Sequence, residues 1–337
     1  MNILITGIHG FVGTNLVAVL KNNHTIYGLD IISPKKEGVV KTFGWNELDK
    51  IPSIEAIIHL AGKAHDTKNQ SGAQLYFDIN TGLTQKIYDW FQVSKATKFI
   101  YFSSVKAAAD KVEGDILTED VIPSPKGPYG ESKIAAENYI LSKEVLGKRQ
   151  EVSHKDKDTK ILINDFPLPT INSPLKKVYI LRPCMIHGPG NKGNLNLLYQ
   201  VVKKGIPYPL GAFENRRSFT SIDNLSFVIS SLIEKNIPGG IYNVGDDESL
   251  STNELIALMA MAMNKPNRTW KWNKSLIQIC ARIGTKLHLP LNSERLQKLT
   301  ENYVVSNAKL KKVLGITKMP VTANEGFIKT IKSFNNK

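Results

Sequence analysis

The sequence contains little cysteine. Its 337 residues include only Cys184 and Cys280. Two thiols cannot form a disulfide framework or complete a four-ligand zinc site, and both lie among apolar neighbours, so we predict two buried free thiols. His59 and His65 have no carboxylate or cysteine partner at ligand spacing, and we therefore predict no metal site.

Long hydrophobic runs are also absent. No stretch approaches the roughly 20 apolar residues that a membrane-spanning helix needs. The apolar run at residues 2–6 is too short for the core of a signal peptide, and glycines rather than a cleavage site follow it. We therefore expect a cytoplasmic protein without a transmembrane segment.

The chain has an excess of positive charge. It carries 44 lysines and arginines against 30 acidic residues, for a formal net charge of +14. The lysines are scattered, and the sequence has neither zinc-finger spacing nor an aromatic-basic RNA signature, so we expect no nucleic-acid partner. A substrate that carries a diphosphate, or an anionic membrane surface, explains the sign of the charge as well.

Apolar periodicity alternates between strand and helix through the first half of the chain. This alternation predicts an α/β fold whose parallel sheet is covered by helices on both faces. The predicted strands are residues 3–6, 24–30, 56–60, 98–103 and 178–181, and the predicted helices are residues 11–21, 74–91 and 129–146.

A glycine pattern follows the first strand and opens the first helix. Gly7, Gly10 and Gly13 form the pattern G-x-x-G-x-x-G. Such glycines allow a tight turn, close approach of a pyrophosphate and close helix–strand packing, and the phosphate lies at the positive end of the helix, here at Phe11 and Val12. The pattern predicts a dinucleotide site, with a plain turn as the competing interpretation.

Two further segments fit a dinucleotide. Asp30 ends the second strand, where a carboxylate accepts hydrogen bonds from the adenosine ribose and repels a 2′-phosphate. Residues 31–33 include no arginine, so Asp30 favours NAD, while NADP stays open and a turn aspartate is the competing interpretation. After the third strand, the segment Leu60, Ala61 and Gly62 would let the backbone pass close to the cofactor.

The candidate catalytic residues are Tyr129 and Lys133, one helical turn apart on one face. A phenol has a reference pKa of about 10, and a neighbouring cation favours the phenolate. With the nicotinamide charge added, Tyr129 could take a proton from a sugar hydroxyl while hydride leaves. Ser103 and Ser104 end the fourth strand, where a hydroxyl can donate to the substrate oxygen or merely cap a turn.

These motifs, together with Asn80, resemble the extended short-chain dehydrogenases, the sugar-nucleotide epimerase, dehydratase and reductase family. The resemblance covers nearly the whole chain. In the second half, residues 188–198, 215–218 and 245–252 are most similar to 4-ketoreductases and 4-epimerases of UDP-N-acetylhexosamines in polysaccharide pathways.

The resemblance implies a set of roles. Ser104, Tyr129 and Lys133 would be catalytic, and Tyr129 and Lys133 would also contact the cofactor. Asn80 would help order the site, and both Asn80 and Ser104 would contact the substrate. Asn194 and Arg217 would hold the nucleotide diphosphate, a task that suits an amide and a guanidinium. The family also implies an NAD cofactor, a UDP-linked substrate and a homodimer formed through paired long helices.

The domain organisation follows from these motifs. We predict a Rossmann-type, doubly wound NAD(P)-binding domain over residues 1–182 and a smaller, mainly substrate-binding domain over 183–337, partly interleaved with the end of the sheet. Residues 148–177 are charged, then proline-rich, and predict an exposed insertion. The second domain is predicted to contain helices 194–204, 223–234 and 252–263 and strand 241–244.

Three functional hypotheses remain open. The first is an oxidoreductase acting at C4 of a nucleotide-linked sugar, either an epimerase or a 4-ketoreductase, with the local likenesses leaning slightly to the reductase. Val105 and Lys106 follow Ser104 where 4,6-dehydratases have an acidic pair, which argues against dehydration. The second is a non-catalytic redox sensor or partner-binding module that uses the same nucleotide site.

The third hypothesis adds weak peripheral contact with a membrane. Trp270, Trp272 and several cations precede or flank the apolar run 276–283. An interfacial helix has this composition, but so does an amphipathic helix packed on the substrate domain.

Overall fold

The computed structural model describes residues 1–64, 72–153, 176–191, 194–287 and 292–335. Nine strands lie in the described residues, and they are β1 (Asn2–Thr6), β2 (Thr25–Leu29), β3 (Lys41–Phe43), β4 (Ala56–His59), β5 (Lys98–Phe102), β6 (Lys177–Pro183), β7 (Met185–His187), β8 (Phe219–Ser221) and β9 (Gly240–Val244). The helices of the same residues are α1 (Phe11–Leu20), α2 (Ala73–Tyr76), α3 (Leu83–Val93), α4 (Val105–Ala108), α5 (Pro128–Ser153), α6 (Asn194–Lys203), α7 (Ile222–Glu234), α8 (Thr252–Ala262), α9 (Lys274–Lys286), α10 (Ser293–Thr300), α11 (Ala308–Leu314) and α12 (Ala323–Asn335).

A seven-stranded sheet has the order β3-β2-β1-β4-β5-β6-β9. The pairs from β3 to β6 are parallel. This confirms the predicted Rossmann-type α/β fold. The strand order reverses direction between β1 and β4, and in open α/β sheets ligands bind beside the carboxyl ends of the strands at that point. The loops after β1 and β4 are therefore the expected place for a cofactor.

The described residues fall into two compact units. The first comprises Met1–Asp110, Ile122–Arg182 and Pro238–Ile241, and the second Lys111–Val121, Pro183–Ile237 and Tyr242–Lys337. The predicted domains 1–182 and 183–337 differ from these units in residues 111–121 and 238–241. Residues 111–121 lie in the second unit because the backbone of Leu117 bonds to Val304 and Ser306.

The core of the first unit lies between the sheet and helices α3 and α5. Ile57 and Phe99 of the strands pack with Ile87 of α3 and Ala136 of α5, and all four are fully buried. Buried strands of a parallel sheet read as continuous apolar runs, which is why the sequence predicted them well.

Helix α5 buries polar as well as apolar side chains. Ser132, Lys133 and Glu137 are buried beside Ala136 and Ile140. Burial of ionisable groups is costly unless they are paired, so partners are expected for Lys133 and Glu137.

The second unit has its own core, around the two-stranded parallel sheet of β7 and β8. The ring of His187 stacks on Phe327 of α12, with ring centroids 3.8 Å apart. Helix α8 begins with a capping box in which Ser251 and Glu254 satisfy each other's backbone amides, and this arrangement stabilises a helix start.

None of the helices in the described residues combines the length and the apolar content of a membrane-spanning segment.

Several sequence predictions need correction. The helix predicted over 74–91 is α2 and α3 joined by a π-helical turn, Phe77–Gly82. A π-helical turn holds one more residue than an α-helical turn, and so small a change does not show in the apolar periodicity. The predicted insertion 148–177 begins within α5, which continues to Ser153, while residues 154–175 lie outside the described residues, as does His65. Cys184 is buried as predicted, but Cys280 is exposed, because the buried face of α9 runs through Ile277, Ala281 and Gly284.

A buried histidine links the cofactor side of the sheet to α3. Nδ1 of His59 lies 2.7 Å from the Thr6 hydroxyl, and Nε2 lies 2.9 Å from the Thr84 hydroxyl. Thr84 donates to the Asn80 carbonyl, and Thr6 accepts from the Ala61 amide. With its own proton given to the Asn80 carbonyl, the Thr84 hydroxyl can accept from Nε2–H, and the Thr6 hydroxyl can donate its proton to Nδ1. These bonds match a neutral imidazole with its proton on Nε2.

This neutral histidine predicts a loss of stability in acid. Burial, and secondarily the charge of Lys133, lowers the pKa of His59 from 6.5 to about 3. The unfolded state therefore binds more protons, so stability is complete above pH 6.5 and is lost as the pH falls. We expect the His59 contribution to fall by about 2 kcal/mol between pH 6.5 and 4.5. Urea unfolding of the parent and of His59→Gln across this range should show a shallower pH dependence in the variant, and identical slopes would contradict the assignment.

Candidate active site

The glycine loop and the loop after β4 are in close backbone contact. Gly7 has φ of +66°, and a Cβ built on it would lie 2.9 Å from the Ala61 nitrogen. A Cβ on Gly13 would lie 2.7 Å from the carbonyl oxygens of Gly7 and Ile8. Real side chains do not tolerate such distances, so both glycines are required for β1, α1 and the 60–62 loop to meet as they do.

The first turn of α1 is open to an anion. Gly10 is the N-cap, and no side chain caps the helix. The amides at Phe11, Val12 and Gly13 therefore begin the helix without a side-chain acceptor, at its positive end. This is the arrangement that a pyrophosphate requires, and it fits the dinucleotide that the sequence predicted.

Asp30 lies beside the glycine loop. Its carboxylate accepts from the amide of His9 at 3.0 Å and from the amide of Ile31 at 2.7 Å. The carboxylate is thus fixed at the end of β2, where a ribose hydroxyl could donate to it. Its role in cofactor binding stays a prediction.

Lys36 is a nearby cation that sequence reasoning missed. Its Nζ donates to the Ile8 carbonyl at 2.9 Å and to the Thr14 hydroxyl at 2.8 Å. Burial lowers its pKa, and the charge of Asp30 opposes this shift. Lys36 lies six residues after Asp30 in the chain, and the loop returns it to the start of α1.

Asn80 fixes the loop that follows β4. The fully buried amide accepts from the Lys63 amide at 2.7 Å and donates to the Ser132 hydroxyl at 2.9 Å. A Cβ on Gly62 would lie 2.9 Å from the Asn80 oxygen and 3.2 Å from the Lys133 ammonium. The structure thus brings Gly62, Asn80 and Lys133 together, and the π-helical turn gives Asn80 its inward position.

Ser104 and Tyr129 are hydrogen-bonded to each other through their side chains. Ser104 is buried and also caps α4, accepting from the Lys106 amide at 3.2 Å. Burial raises the pKa of Tyr129, and the hydrogen bond with Ser104 opposes that shift. When neither cofactor nor substrate is bound, the phenol is therefore protonated. A cation must come close to it before it can serve as a base.

Lys133 is buried one turn after Tyr129. Its ammonium donates to the Phe102 carbonyl at 2.7 Å and lies 5.2 Å from the centre of the Tyr101 ring. Burial lowers the pKa of Lys133 to about 8, with the charge of Glu137 opposing the shift. The side chain is thus mostly charged at neutral pH, close to the loop that would carry a nicotinamide.

Glu137, a second residue that sequence reasoning missed, continues the face of Tyr129 and Lys133 by one more turn. Its carboxylate is fully buried and accepts two-pronged hydrogen bonds from Arg182 of β6, the shortest 2.6 Å. It also accepts from the Ser103 hydroxyl at the end of β5. The four-residue spacing from Lys133 was the available signal.

The remaining predicted residues belong to the second unit. A terminal nitrogen of the Arg217 guanidinium donates to the Lys298 carbonyl and lies 3.5 Å from the Glu301 carboxylate. Burial lowers the pKa of Arg217, and Glu301 opposes this. Asn194 begins α6, and its side chain lies outside the described residues. Diphosphate binding by either residue stays a prediction.

Comparison with known proteins identifies relatives of this chain. Residues 3–147 match the NAD dependent epimerase/dehydratase family. The chain is 29% identical to a UDP-glucose 4-epimerase of Vibrio cholerae, over 99% of this chain and 95% of that protein. It is 26% identical to an N-acetyl-alpha-D-glucosaminyl-diphospho-ditrans,octacis-undecaprenol 4-epimerase of Escherichia coli O157:H7, over 97% and 90%. The fold is similar to that of MoeE5 in complex with UDP-glucuronic acid and NAD (TM-score 0.72, 18% identity, 100% and 99% covered).

Removing the Glu137 carboxylate should destabilise the protein strongly. Glu137→Gln would leave the buried Arg182 guanidinium without a counter-charge, a change that costs about 3–5 kcal/mol. The measurement is urea unfolding monitored by circular dichroism. Asp89→Asn is the matched control, because that carboxylate is exposed and lies 4.0 Å from Lys143, and exposed pairs contribute about 0–1 kcal/mol. Equal losses in the two variants would refute a special role for the buried pair.

Proposed function

We propose that the chain is a member of the NAD dependent epimerase/dehydratase family of extended short-chain dehydrogenases, whose model matches residues 3–147, and that it is a 4-epimerase of a UDP-linked hexose or N-acetylhexosamine. The observation that carries the proposal is the hydrogen-bonded pair of Ser104 and Tyr129 at the carboxyl end of β5, with Lys133 one turn further along α5. The named relatives act at C4, which supports this position over others on the sugar.

The residues of the first unit fit NAD. The first turn of α1 and the loop of Gly7 would hold the pyrophosphate, Asp30 the adenosine ribose, and the segment from Leu60 to Gly62 would pass close to the rest of the cofactor. When bound, NAD supplies a hydride acceptor and donor at the sugar carbon.

Tyr129 is the proposed acid–base group. Its phenol would remove the proton of the 4-hydroxyl as that carbon is oxidised and give a proton back to the carbonyl oxygen on reduction. The Ser104 hydroxyl, already bonded to the phenol, would donate to the same sugar oxygen. Because Ser104 also caps α4, its position is fixed by the backbone of that helix.

Lys133 supplies the positive charge that a phenolate needs. Its ammonium has three donors, and the Phe102 carbonyl takes one of them. The Glu137 carboxylate opposes the loss of the Lys133 charge that burial favours. Lys133 can therefore remain charged in a site where water is scarce.

Dehydration and a purely regulatory role fit less well. Val105 and Lys106 follow Ser104, and the ammonium of Lys106 donates to the Asp110 carbonyl at 2.6 Å. Neither side chain can replace the acidic pair that protonates and deprotonates at C5 and C6 of the sugar in dehydration. A non-catalytic nucleotide-binding module would not need Ser104, Tyr129 and Lys133 together, and the chain keeps all three.

Epimerase activity should be measurable without an added reductant. We expect pure protein to convert UDP-N-acetylglucosamine or UDP-glucose into the galacto epimer, because the hydride that leaves C4 returns to it. Proton NMR of the anomeric and H4 signals follows the reaction. Turnover of a 4-keto sugar alone, with loss of NADH absorbance, would instead assign the protein as a reductase. A role in surface polysaccharide synthesis is part of the proposal.

The phenol can be tested directly. Tyr129→Phe should lower kcat by about 10²–10⁴-fold, the usual contribution of a positioned acid–base group, while NAD binding measured by fluorescence stays within about threefold of the parent value. Tyr139→Phe is the matched control on the same helix, since its hydroxyl bonds to the exposed Asp89. A Tyr129→Phe protein as active as the parent would remove this mechanism.

A further inference from the structure

Helix α9 packs on the second unit with only a narrow face. Ile277, Ala281 and Gly284 are its buried residues. Ile277 and Ala281 join Leu210 and Leu296 in a small apolar cluster. These three residues are therefore enough to account for the packing of α9.

A second apolar stripe on α9 faces outwards. Four aliphatic side chains follow one another at spacings of three and four residues, which places them on one side of a helix. Each is at least about half exposed: Leu276 (53%), Ile279 (51%), Ile283 (49%) and Leu287 (63%).

Two tryptophans adjoin this stripe in the chain. The rings of Trp270 and Trp272 stack with centroids 6.2 Å apart, and each ring is about half exposed. Their backbone is firmly held, since Trp270 pairs with Tyr208 and Gly211 through hydrogen bonds of 2.8 and 3.0 Å. We call these two rings, the three exposed aliphatic side chains of α9 and the side chain of its C-cap, Leu287, the α9 surface.

The α9 surface lies in a wholly basic part of the chain. Between Glu254 and Glu294 the sequence has no acidic residue and six lysines and arginines. Lys271, Arg282 and Lys286 lie within or beside the surface, and all three are exposed. The ammonium of Lys274 instead lies 5.8 Å from the centre of the Phe213 ring, which packs against the cluster of Ile277 and Ala281. Apolar side chains and tryptophans flanked by cations are the composition of helices that lie in the interface of anionic bilayers.

We propose that the α9 surface docks on an anionic phospholipid bilayer. The aliphatic stripe and the tryptophan rings would enter the boundary between headgroups and acyl chains, while the cations Lys271, Arg282 and Lys286 face the lipid phosphates. Charge complementarity is the argument for this occupant: the patch and the net charge of +14 are both positive. The inference does not rest on the reaction proposed above.

Two other occupants fit the α9 surface less well. A second copy of the chain would bring two basic patches together, and like charges at an interface cost free energy. A nucleic acid would neutralise the cations but would leave the exposed aliphatic stripe without an apolar partner. Only a bilayer offers both an anionic surface and an apolar layer below it.

Vesicle sedimentation tests the proposal with the full chain. Sucrose-loaded vesicles of phosphatidylcholine with about 30% phosphatidylglycerol should carry most of the protein into the pellet at low salt, and vesicles of phosphatidylcholine alone should carry little. Raising the salt to about 0.5 M should release it, because screening shortens the reach of the cations. Lys271→Gln with Arg282→Gln should weaken partitioning by about fivefold per cation removed.

Matched variants distinguish vesicle binding through the α9 surface from nonspecific adsorption. Ile279→Gln with Ile283→Gln should reduce binding at least tenfold, whereas Val93→Gln with Ile122→Gln, which changes two highly exposed aliphatic residues elsewhere, should leave it unchanged. Lys95→Gln with Lys318→Gln is the corresponding control for charge. Circular dichroism and turnover of a UDP-sugar in solution should be unaffected in all of them, so a failure here is distinct from a failure of the proposed reaction.

Three outcomes would overturn the proposal. The protein could fail to sediment with anionic vesicles at low salt, or the α9 variants could bind as well as their controls. Alternatively, analytical ultracentrifugation could show a dimer that Ile279→Gln with Ile283→Gln dissociates, which would assign the α9 surface to a second copy.

Discussion

The buried ion pair between Glu137 and Arg182 is the constraint on which the catalytic arrangement depends. It joins α5 to β6 below the site, and the Ser103 hydroxyl adds the end of β5 to the same carboxylate. A buried carboxylate is stable only when it is fully paired, so α5 can rotate or slide little without breaking these bonds. Because Lys133 and Tyr129 lie one and two turns earlier on the same helix face, their positions are fixed by a residue whose own partners are Arg182 and Ser103.

A second polar system holds the cofactor side of the sheet. The line of hydrogen bonds from Ala61 through Thr6, His59 and Thr84 ends at the carbonyl of Asn80. It links β1 and β4 to the π-helical turn that carries Asn80, whose amide in turn fixes the 61–63 loop. The two systems meet at Gly62, where only a glycine leaves room for the Asn80 oxygen and the Lys133 ammonium. The site is therefore built from buried hydrogen bonds, with little left to side-chain flexibility.

The second unit shows a different use of polar and apolar groups. Its core is closed by the stacked rings of His187 and Phe327 and by capped helices, yet α9 keeps an apolar stripe in contact with solvent. An exposed stripe of this kind costs hydration free energy in a free monomer. The stripe coincides with a stretch that lacks acidic residues, which suggests that it was selected to contact an anionic bilayer rather than to stabilise the fold.

The sequence by itself determined the Rossmann-type fold, the glycine loop and the pairing of Tyr129 with Lys133, because apolar periodicity, glycine spacing and a helical turn are local properties. It left out the short strands β3, β7 and β8, which have too few residues for a period. It also predicted a buried Cys280 from apolar neighbours in the chain, although of the two adjacent residues only Ala281 lies on the buried face of α9. Only the tertiary structure brought Glu137 to Arg182, Lys36 to the start of α1, and His59 to two threonines. These contacts join residues far apart in the chain, and a buried charge reveals its partner only once the chain has folded around it.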